Sequence, residues 1–273
     1  MGASTKETKI RIQSLARGNA ILEVIEKHGV ATLASITRQT GLNKTTAFYL
    51  LESLVGLGFV ERLDQARGFQ LGLRNLELGK AVQRRMSIIE TAKPSLTKLC
   101  LATRETVNLA VPYLLDALIV ESLEGTHGVR VTSYAGTRAP YHATACGKVI
   151  LAYFDEASRH AIYNSRGLDA ITPKTLTSVA ALEAQLAEIR RVGHGFDLEE
   201  MEDSAQCVAA PVVDAFGKVA AAISIAGPKS RTTIESLTAI ASLIKAETAE
   251  ISKRLGGGKA ASLARTEKSV TAG

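Results

Sequence analysis

Four side chains of types that take part in chemistry are spread over the second half of the chain: His142, Cys146, Asp197 and Cys207. A thiol with a nearby base is the arrangement of a nucleophilic enzyme, and the same residue types bind zinc. Their spacing matches no compact ligand motif such as CxxC, and histidine and cysteine are also ordinary interior residues. We therefore expect no enzyme, no metal and no other cofactor, with a metal-sensing regulator as an alternative.

A second set of side chains, near the N-terminus, is of the types that contact DNA. From Lys44 onward the apolar residues recur at the spacing of one helical face: Ala47, Leu50, Leu51, Leu54 and Leu57. The opposite face carries Lys44, Thr45, Thr46, Phe48, Tyr49 and Glu52. A polar N-terminal face of this kind is what a recognition helix places in the major groove.

Each of these side chains has an expected role. Lys44, Thr45 and Thr46 are expected to contact phosphates or bases. Phe48 and Tyr49 are expected either to contact a thymine methyl group or to pack against the first helix. Arg38 and Arg67 are expected to contact phosphates, with a purely solvated position as the alternative for each.

The surrounding sequence predicts the elements that position this helix. In TLASITRQTGLNKTTAFYLLESLVGLGF a first helix ends at Thr40, Gly41 allows the left-handed reversal, and Asn43 caps the next helix. The following FVERLDQARGFQLG has the pattern of a hairpin, which would form a wing. With a helix from about Ser14 to His28, these elements predict a winged helix-turn-helix. A helical hairpin within a larger core is the alternative.

Composition and charge agree with a two-domain DNA-binding protein. The chain has 273 residues, 46% of them hydrophobic, and a net charge of +6. Residues 1–85 hold 13 of the 33 basic and 7 of the 27 acidic residues, so the whole excess lies there, where phosphates would require it. A chance asymmetry is the alternative. The three cysteines are too few for a disulfide framework, and no signal peptide or membrane-length apolar run is present, so we expect a cytoplasmic protein with no membrane partner.

In the remainder of the chain the sequence pattern changes from one typical of helices to one typical of strands. A long helical stretch interrupted at Pro94 precedes three short apolar runs, TVNLAVPY, ALIVESLEG and GVRVTSYAG, which we interpret as strands. A helix starting near Thr144 or Ala145 and two further helices follow, then two strands in AQCVAAPVVDAFGKVAAAISIAG and a last helix from Thr232 to about Leu255. This order predicts an α+β domain with an antiparallel sheet.

The predicted domain boundaries follow from these changes. They are a flexible basic arm over 1–13, a winged helix-turn-helix domain over 14–77, a linker helix over 78–92, an α+β domain over 93–255 and a disordered tail over 256–273. We interpret the linker helix as a dimer contact or a solvated connector.

Several segments together resemble the IclR family of bacterial transcription regulators. They are LASITRQTGLNKTTAFYLLESLVGLGFVER, HATACGKVILAY, GFDLEE and CVAAPVVDAFGKVAAAISIAGP, in this order along almost the whole folded length. The resemblance implies a winged helix-turn-helix, a linker helix and a GAF-like C-terminal domain that binds an effector. It also implies dimers that commonly pair into tetramers.

The resemblance further implies the residues of the effector pocket: Ala145, Cys146, Asp197, Cys207, Ser224 and Ala226. Ala226 stands where many relatives have a second serine, and Cys146 replaces a smaller residue. Ala47-Phe48-Tyr49 stands where relatives usually have Val-His-Arg. From the residues themselves, the helix start at Ala145, Cys146 and Gly147 is a candidate cradle for a carboxylate, because amide groups at helix N-termini are unpaired.

These observations predict a DNA-binding transcription regulator. We expect a repressor of a catabolic operon, a homodimer or dimer of dimers that binds a palindromic double-stranded operator and is controlled by a small organic acid. The alternatives are an activator of the same architecture and a GAF-like small-molecule-binding protein or enzyme whose DNA-binding half is vestigial.

Overall fold

A computed structural model describes residues 12–63, 68–83 and 87–256 of the chain. The chain divides into two compact units, residues 1–85 and 86–273, called here the N-terminal unit and the C-terminal unit. The predicted basic arm lies almost wholly outside the described residues, and so does the predicted tail. Within the described ranges, no helix combines the length and the apolar character needed to cross a membrane.

The N-terminal unit consists of three helices, a hairpin and a fourth helix. They are α1 (Gln13–His28), α2 (Leu33–Thr40), α3 (Lys44–Gly56), β1 (Val60–Leu63), β2 (Gly68–Leu71) and α4 (Arg74–Gln83). β1 and β2 are antiparallel, and Ala31 forms a bridge to Phe69 of β2, which ties the hairpin to the helices. The predicted winged helix-turn-helix is confirmed.

The turn between α2 and α3 has the predicted chemistry. Gly41 has a φ of 69°, and the side chain of Asn43 accepts a hydrogen bond of 2.8 Å from the amide of Thr46. The core beneath it is formed by Ile21, Ile25, Ala31, Ile36, Leu51, Val60 and Phe69. Leu57 was wrongly assigned to this apolar face: it follows the last residue of α3 and is 64% exposed.

The C-terminal unit has a six-stranded antiparallel sheet covered by helices. Its strands are β3 (Thr106–Tyr113), β4 (Asp116–Leu123), β5 (Arg138–Pro140), β6 (Gly195–Leu198), β7 (Ala205–Val213) and β8 (Val219–Pro228), in the order β5-β4-β3-β8-β7-β6. Its helices are α5 (Ser87–Thr103), α6 (Ala145–Ala152), α7 (Glu156–Arg166), α8 (Val179–Val192) and α9 (Ile234–Arg254). The predicted α+β class is confirmed.

Alternating side chains of the sheet supply two cores, one on each face. Ile223 and Ile225 of β8 pack with α5 and α9, while Ala222 of the same strand belongs to the core that includes α6 and α8. This follows from the two-residue period of a strand. Every residue of α6 is buried, so α6 lies between the sheet and its outer helix layer.

Two sequence-based assignments in this region were wrong, and one strand was not predicted. The run at 128–136 forms no strand, and Val129 and Tyr134 are 72% and 63% exposed; the short β5 after it pairs with β4 instead. The strand β6 was not predicted, because a four-residue run is too short for a periodicity to stand out. Pro94 does not interrupt α5: buried residues on both sides, Ala92 and Leu96 among them, hold the helix through it.

The predicted linker region, 78–92, contains the second half of α4 and the start of α5. Leu76 and Leu78 are 58% and 42% exposed, while Ile89, Leu96, Leu99 and Cys100 are buried in the C-terminal unit. Residues 84–86 lie outside the description. The domain limits given above stay predictions.

Candidate functional site

The outward face of α3 is the first candidate site. Lys44 and Thr45 are exposed and Thr46 is partly exposed, so the first helical turn presents polar side chains to solvent. Phe48 and Tyr49 are 42% and 66% exposed and contact each other edge to face, with ring centroids 5.8 Å apart. Both rings are therefore accessible to solvent on the outward face of α3, and the choice between a thymine contact and packing against α1 stays a prediction.

The charges around α3 leave its N-terminal half positive. Glu52, the one acidic residue of this helix, forms an ion pair with Arg62 of β1. Arg38 of α2 is exposed, and in the described part of the chain neither Arg38 nor Lys44 has an ion-pair partner. Such cations are free to meet phosphate groups. Arg67 lies outside the described residues.

The second candidate site is a cavity of about 270 Å³ in the C-terminal unit. All six residues that the family resemblance implied for the pocket line it: Ala145, Cys146, Asp197, Cys207, Ser224 and Ala226. Residues that the sequence analysis did not single out also line it: Asn108, Ile119, Val131, Thr132, Ser133, Thr137, Arg138, Ala139, Thr144, Met201, Glu202 and Ala205.

The cavity exists because the sheet carries small residues where it faces α6. Cys207 pairs across the ladder with Ala226, and Ser224 pairs with Ala209, so these positions of β7 and β8 have no large side chain. The opposite face of the same strands carries Val208, Ile223 and Ile225, which fill their core. Small side chains under the start of α6 leave space for a ligand.

The start of α6 is held close to the preceding backbone. The side chain of Thr144 caps the helix by accepting a hydrogen bond of 3.1 Å from the amide of Gly147. A Cβ atom at Gly147 would lie 2.5 Å from the carbonyl oxygen of Pro140, so only glycine fits. Because Thr144 takes the amide of Gly147, only Ala145 and Cys146 remain of the three predicted carboxylate donors.

The thiols of the cavity are in an environment that keeps them protonated. Burial raises the pKa of Cys146, and burial together with the nearby Asp197 raises the pKa of Cys207 well above its ordinary value. A nucleophilic or metal-binding cysteine needs the opposite shift. His142 is absent from the cavity lining and makes a 3.0 Å hydrogen bond with the backbone oxygen of Asp169.

No group of three or more potential metal ligands is present within residues 12–63, 68–83 and 87–256. The thiols, Asp197 and His142 thus form no cluster with the geometry of a zinc site.

Asp197 lies beside a buried ion pair. The ammonium group of Lys148, which is 0% exposed, pairs with Glu200, whose second carboxylate oxygen has no hydrogen-bond partner among the described residues. The Oδ1 atom of Asp197 accepts hydrogen bonds from the amides of Glu200 (2.7 Å) and Met201 (3.4 Å). Burial nevertheless raises the pKa of Asp197 to about 7, so its charge is marginal at neutral pH.

Two of the missed residues had a usable signal in the sequence. Asn108 is a polar residue within the apolar run TVNLAVPY, and Lys148 is the one charge in the apolar ACGKVILA. A polar residue inside a buried element needs a partner or a function. Arg138 had no such signal, because nothing in its neighbourhood distinguishes it from other surface arginines.

Comparisons with known proteins match two domains of one family. Residues 14–64 match the IclR helix-turn-helix domain, and residues 80–253 match the bacterial transcriptional regulator IclR C-terminal domain. The chain is 32% identical to the transcriptional repressor IclR of Escherichia coli K12, over 90% of this chain and 91% of that protein. It is 33% identical to the HTH-type transcriptional repressor AllR of the same organism, over 89% and 90%.

A solved structure gives a third comparison. An IclR homolog from Microbacterium hydrocarbonoxydans, complexed with 4-hydroxybenzoate, matches with a TM-score of 0.75 and 26% identity, covering 89% of this chain and 98% of that one. The names of these relatives are those of transcription regulators. From its two domain matches and its identity to these relatives, the chain belongs to the IclR family of bacterial transcriptional regulators.

Proposed function

We propose that the protein is a transcriptional repressor of a catabolic operon and that a small organic acid in the C-terminal cavity changes its affinity for the operator. The observation that carries the DNA-binding half is the exposed N-terminal face of α3, on a winged helix-turn-helix with no unpaired acidic residue on that helix. Repression is proposed because both curated relatives described above are named repressors.

The contacts proposed for DNA are those of the α3 face and its flanks. Lys44, Thr45 and Thr46 would contact phosphates or base edges, and Arg38 would contact a phosphate. Phe48 and Tyr49, exposed as an edge-to-face pair, would contact thymine methyl groups. Since Tyr49 cannot bond a guanine edge in two places as arginine does, we expect an operator with thymines rather than guanines under α3.

Thr46→Ala tests the recognition helix. It should weaken binding to the operator by on the order of 1 kcal/mol and leave binding to unrelated DNA nearly unchanged. Fluorescence anisotropy at several salt concentrations measures both, and the operator affinity should fall steeply with salt because phosphate contacts release counterions. Ser53→Ala, at the far end of α3, is the matched control. Equal losses on both DNAs, or binding that survives deletion of residues 1–75, would contradict this assignment.

A cavity of about 270 Å³ suits a small ligand with an apolar part. Ala226 lacks the hydroxyl that many relatives have, which leaves the cavity larger and less polar. The solved relative with 4-hydroxybenzoate bound supports an aromatic or short-chain acid over a two-carbon anion. The proposed contacts are Ala145, Cys146, Asp197, Cys207, Ser224 and Ala226.

Ser224→Ala tests the cavity. The hydroxyl of Ser224, 4% exposed, is a hydrogen-bond donor inside the cavity, so its removal should weaken a bound acid by about 1 kcal/mol. Cys207→Ser should have a smaller effect. Calorimetric titration with a panel of small acids measures both, with Ser165→Ala on the exposed surface of α7 as the control. The cavity assignment would be refuted if only cationic compounds bind. It would also be refuted if Ser224→Ala, Cys207→Ser and Ser165→Ala bind every acid with equal affinity.

We also propose a homodimer that pairs into a tetramer and binds a palindromic operator. A winged helix-turn-helix contacts one half-site, and two-fold symmetry brings a second recognition helix about one helical turn away. The exposed Leu76 and Leu78 of α4 are consistent with a contact between copies. Since its operator would be in the bacterial cytoplasm, we place the protein there. Sedimentation equilibrium that finds only monomer, with operator binding intact, would exclude the dimer.

A further inference from the structure

A segment of extended chain, residues 129–134, covers part of the C-terminal cavity and is called here the strap. Val131, Thr132 and Ser133 of the strap line the cavity. Val131 and Ser133 are partly buried, whereas Thr132 and Tyr134 are exposed, so burial alternates along the strap as it does along a strand. The strap nevertheless belongs to no strand of the sheet, since β5 pairs with β4. It is therefore a cover of the cavity and not a part of the sheet.

The chain on both sides of the strap is fixed by backbone hydrogen bonds. Before the strap, the amide of Thr126 donates to the carbonyl of Arg104 at 3.0 Å. After it, the amide of Gly136 donates to the carbonyl of Ile119 of β4 at 2.7 Å, and the carbonyl of Thr137 accepts from the amide of Ile119 at 2.9 Å. The strap can therefore move between these two points while the sheet stays intact.

Between these points the strap is held by side chains that donate to its carbonyl groups. The three bonds are Arg231 Nη2 to Val129 O (2.7 Å), Thr106 Oγ1 to Val131 O (2.5 Å) and Ser122 Oγ to Ser133 O (3.0 Å). Arg130 pairs with Glu124, but both side chains are more than a third exposed, so this pair adds little. Each hydrogen bond of this kind shifts an opening equilibrium by only about two- to tenfold, so local opening of the strap costs much less than unfolding.

The bond to Ser133 is the weakest of the three. The hydroxyl of Ser122 also lies 2.8 Å from Oδ1 of Asn108, which lines the cavity. Because a serine hydroxyl has one hydrogen, it donates either to Asn108 or to Ser133. Arg231, in contrast, bonds the buried Glu105 and the strap with separate N–H groups. We therefore expect the strap to open first at Ser133.

The other segment that covers the cavity is held more firmly. It is the loop of residues 199–204 between β6 and β7, which contributes Met201 and Glu202 to the lining. The groups that hold it are all 9% exposed or less. Their contacts are Thr172 Oγ1 to Glu199 O (2.7 Å), Thr175 Oγ1 to Glu200 O (2.6 Å), Glu200 N to Asp197 Oδ1 (2.7 Å) and the ion pair of Lys148 with Glu200. The strap is therefore the side on which the cavity can open most easily.

We propose that the strap is the gate of the C-terminal cavity: it lifts between its two fixed ends, beginning at Ser133, and admits or releases the ligand. This rests on the proposed function in one respect, that a ligand uses the cavity, whereas the opening is a property of the chain alone. As long as the closed form predominates, a weaker hold on the strap speeds ligand exchange and leaves affinity nearly unchanged. The three side-chain bonds thus set how quickly the regulator responds.

The thiols of Cys146 and Cys207 report opening without any ligand, because both line the cavity. Cys100 is an internal reference, since it is buried in the core on the other face of the sheet. The full-length protein is treated with N-ethylmaleimide at urea concentrations below its unfolding transition. Peptide mass spectrometry gives the labelling rate of each cysteine, and each rate is divided by that of the same cysteine in the fully unfolded chain.

We expect the relative labelling rates of Cys146 and Cys207 to change little with urea, because lifting the strap exposes little surface. The rate of Cys100 should rise steeply with urea, because only unfolding exposes it. Hydrogen exchange gives a second reading: the amides of the strap should exchange much faster than those of β8, and their exchange should also be nearly independent of urea.

Ser122→Ala removes the weakest hold on the strap. It should raise the labelling rates of Cys146 and Cys207 by about two- to tenfold and leave the rate of Cys100 unchanged. Thr238→Val is the matched control, because it removes a hydroxyl that donates to the carbonyl of Ile234 on α9, and it should change none of the three rates. A Ser122→Ala protein that is merely less stable would instead show an equal increase at all three cysteines.

Three results would overturn the gate. The first is labelling of all three cysteines with the same steep dependence on urea, and the second is labelling of Cys146 and Cys207 as fast as in the unfolded chain. The third is a Ser122→Ala protein in which the rates of Cys146 and Cys207 change no more than that of Cys100. Failure of the proposed function gives a different result: no acid of the calorimetric panel binds, while Ser122→Ala still speeds labelling of the two cavity cysteines alone.

Discussion

Lys148→Met is expected to destabilise the C-terminal unit by about 3–5 kcal/mol, because it leaves the buried Glu200 carboxylate without its cation. Lys148 is fully buried on α6, and burial lowers its pKa while Glu200 opposes that change. Its methylene groups are replaced well by methionine, so the loss reports the charge rather than a cavity.

The free energy of unfolding of the C-terminal unit alone can be measured by the reactivity of its thiols at increasing urea concentration. Cys100, Cys146 and Cys207 all lie in that unit. Lys174→Met is the matched control: its ion pair with Glu199 has a lysine side chain that is 51% exposed, so its removal should cost less than about 1 kcal/mol. Adding Glu200→Gln to Lys148→Met should restore more than half of the loss, because the uncompensated charge is then gone. If Lys148→Met and Lys174→Met lower the free energy of unfolding equally, then breaking the buried Lys148–Glu200 pair costs no more than breaking an exposed one.

Asp197→Asn is expected to stabilise the C-terminal unit above neutral pH by on the order of 2–4 kcal/mol. Burial raises the pKa of Asp197 from 3.8 to about 7. Below about pH 3 the carboxyl is protonated in both the folded and unfolded chains and has no effect. Between pH 4 and 7 the unfolded chain releases the proton while the folded chain keeps it, so the stability of the unchanged protein falls as pH rises.

The amide of the asparagine variant has no such titration, yet its Oδ1 atom accepts the same hydrogen bonds from Glu200 and Met201. The difference between the two proteins should therefore grow from near zero at about pH 3 to its full value at about pH 8. Urea unfolding followed by thiol reactivity at each pH gives this curve, with Asp203→Asn on the exposed loop as the control. A difference that is constant with pH would show that Asp197 is ionised throughout.

Sequence patterns predicted the elements whose causes are local. The glycine reversal at Gly41, the cap at Asn43 and the apolar run of β3 each depend on neighbours within a few residues, and all three are confirmed. The start of α6 was predicted for the same reason, since Thr144 is a cap and an apolar run follows it.

Elements and contacts that depend on residues far apart in the chain could not be predicted from these sequence patterns. The run at 128–136 has the composition of a strand, but the edge of β4 is taken by β5, so it lines the cavity through Val131, Thr132 and Ser133 instead. The pairing of Lys148 with Glu200 joins residues 52 positions apart, and no local pattern indicates it. The six implied pocket residues came from the family resemblance. In contrast, the position of Arg138 in the cavity lining is seen only in the structure.

The pairing of β3 with β8 has a consequence for synthesis of the protein. Thr106 lies opposite Ala226, so the centre of the sheet joins an early and a late segment of the C-terminal unit. On the ribosome, β3 and β4 must wait for β8 to emerge, whereas the N-terminal unit is a compact unit built from the first 85 residues, which emerge early. A nascent or prematurely terminated chain thus acquires the ability to recognise DNA before it acquires the ability to respond to a ligand.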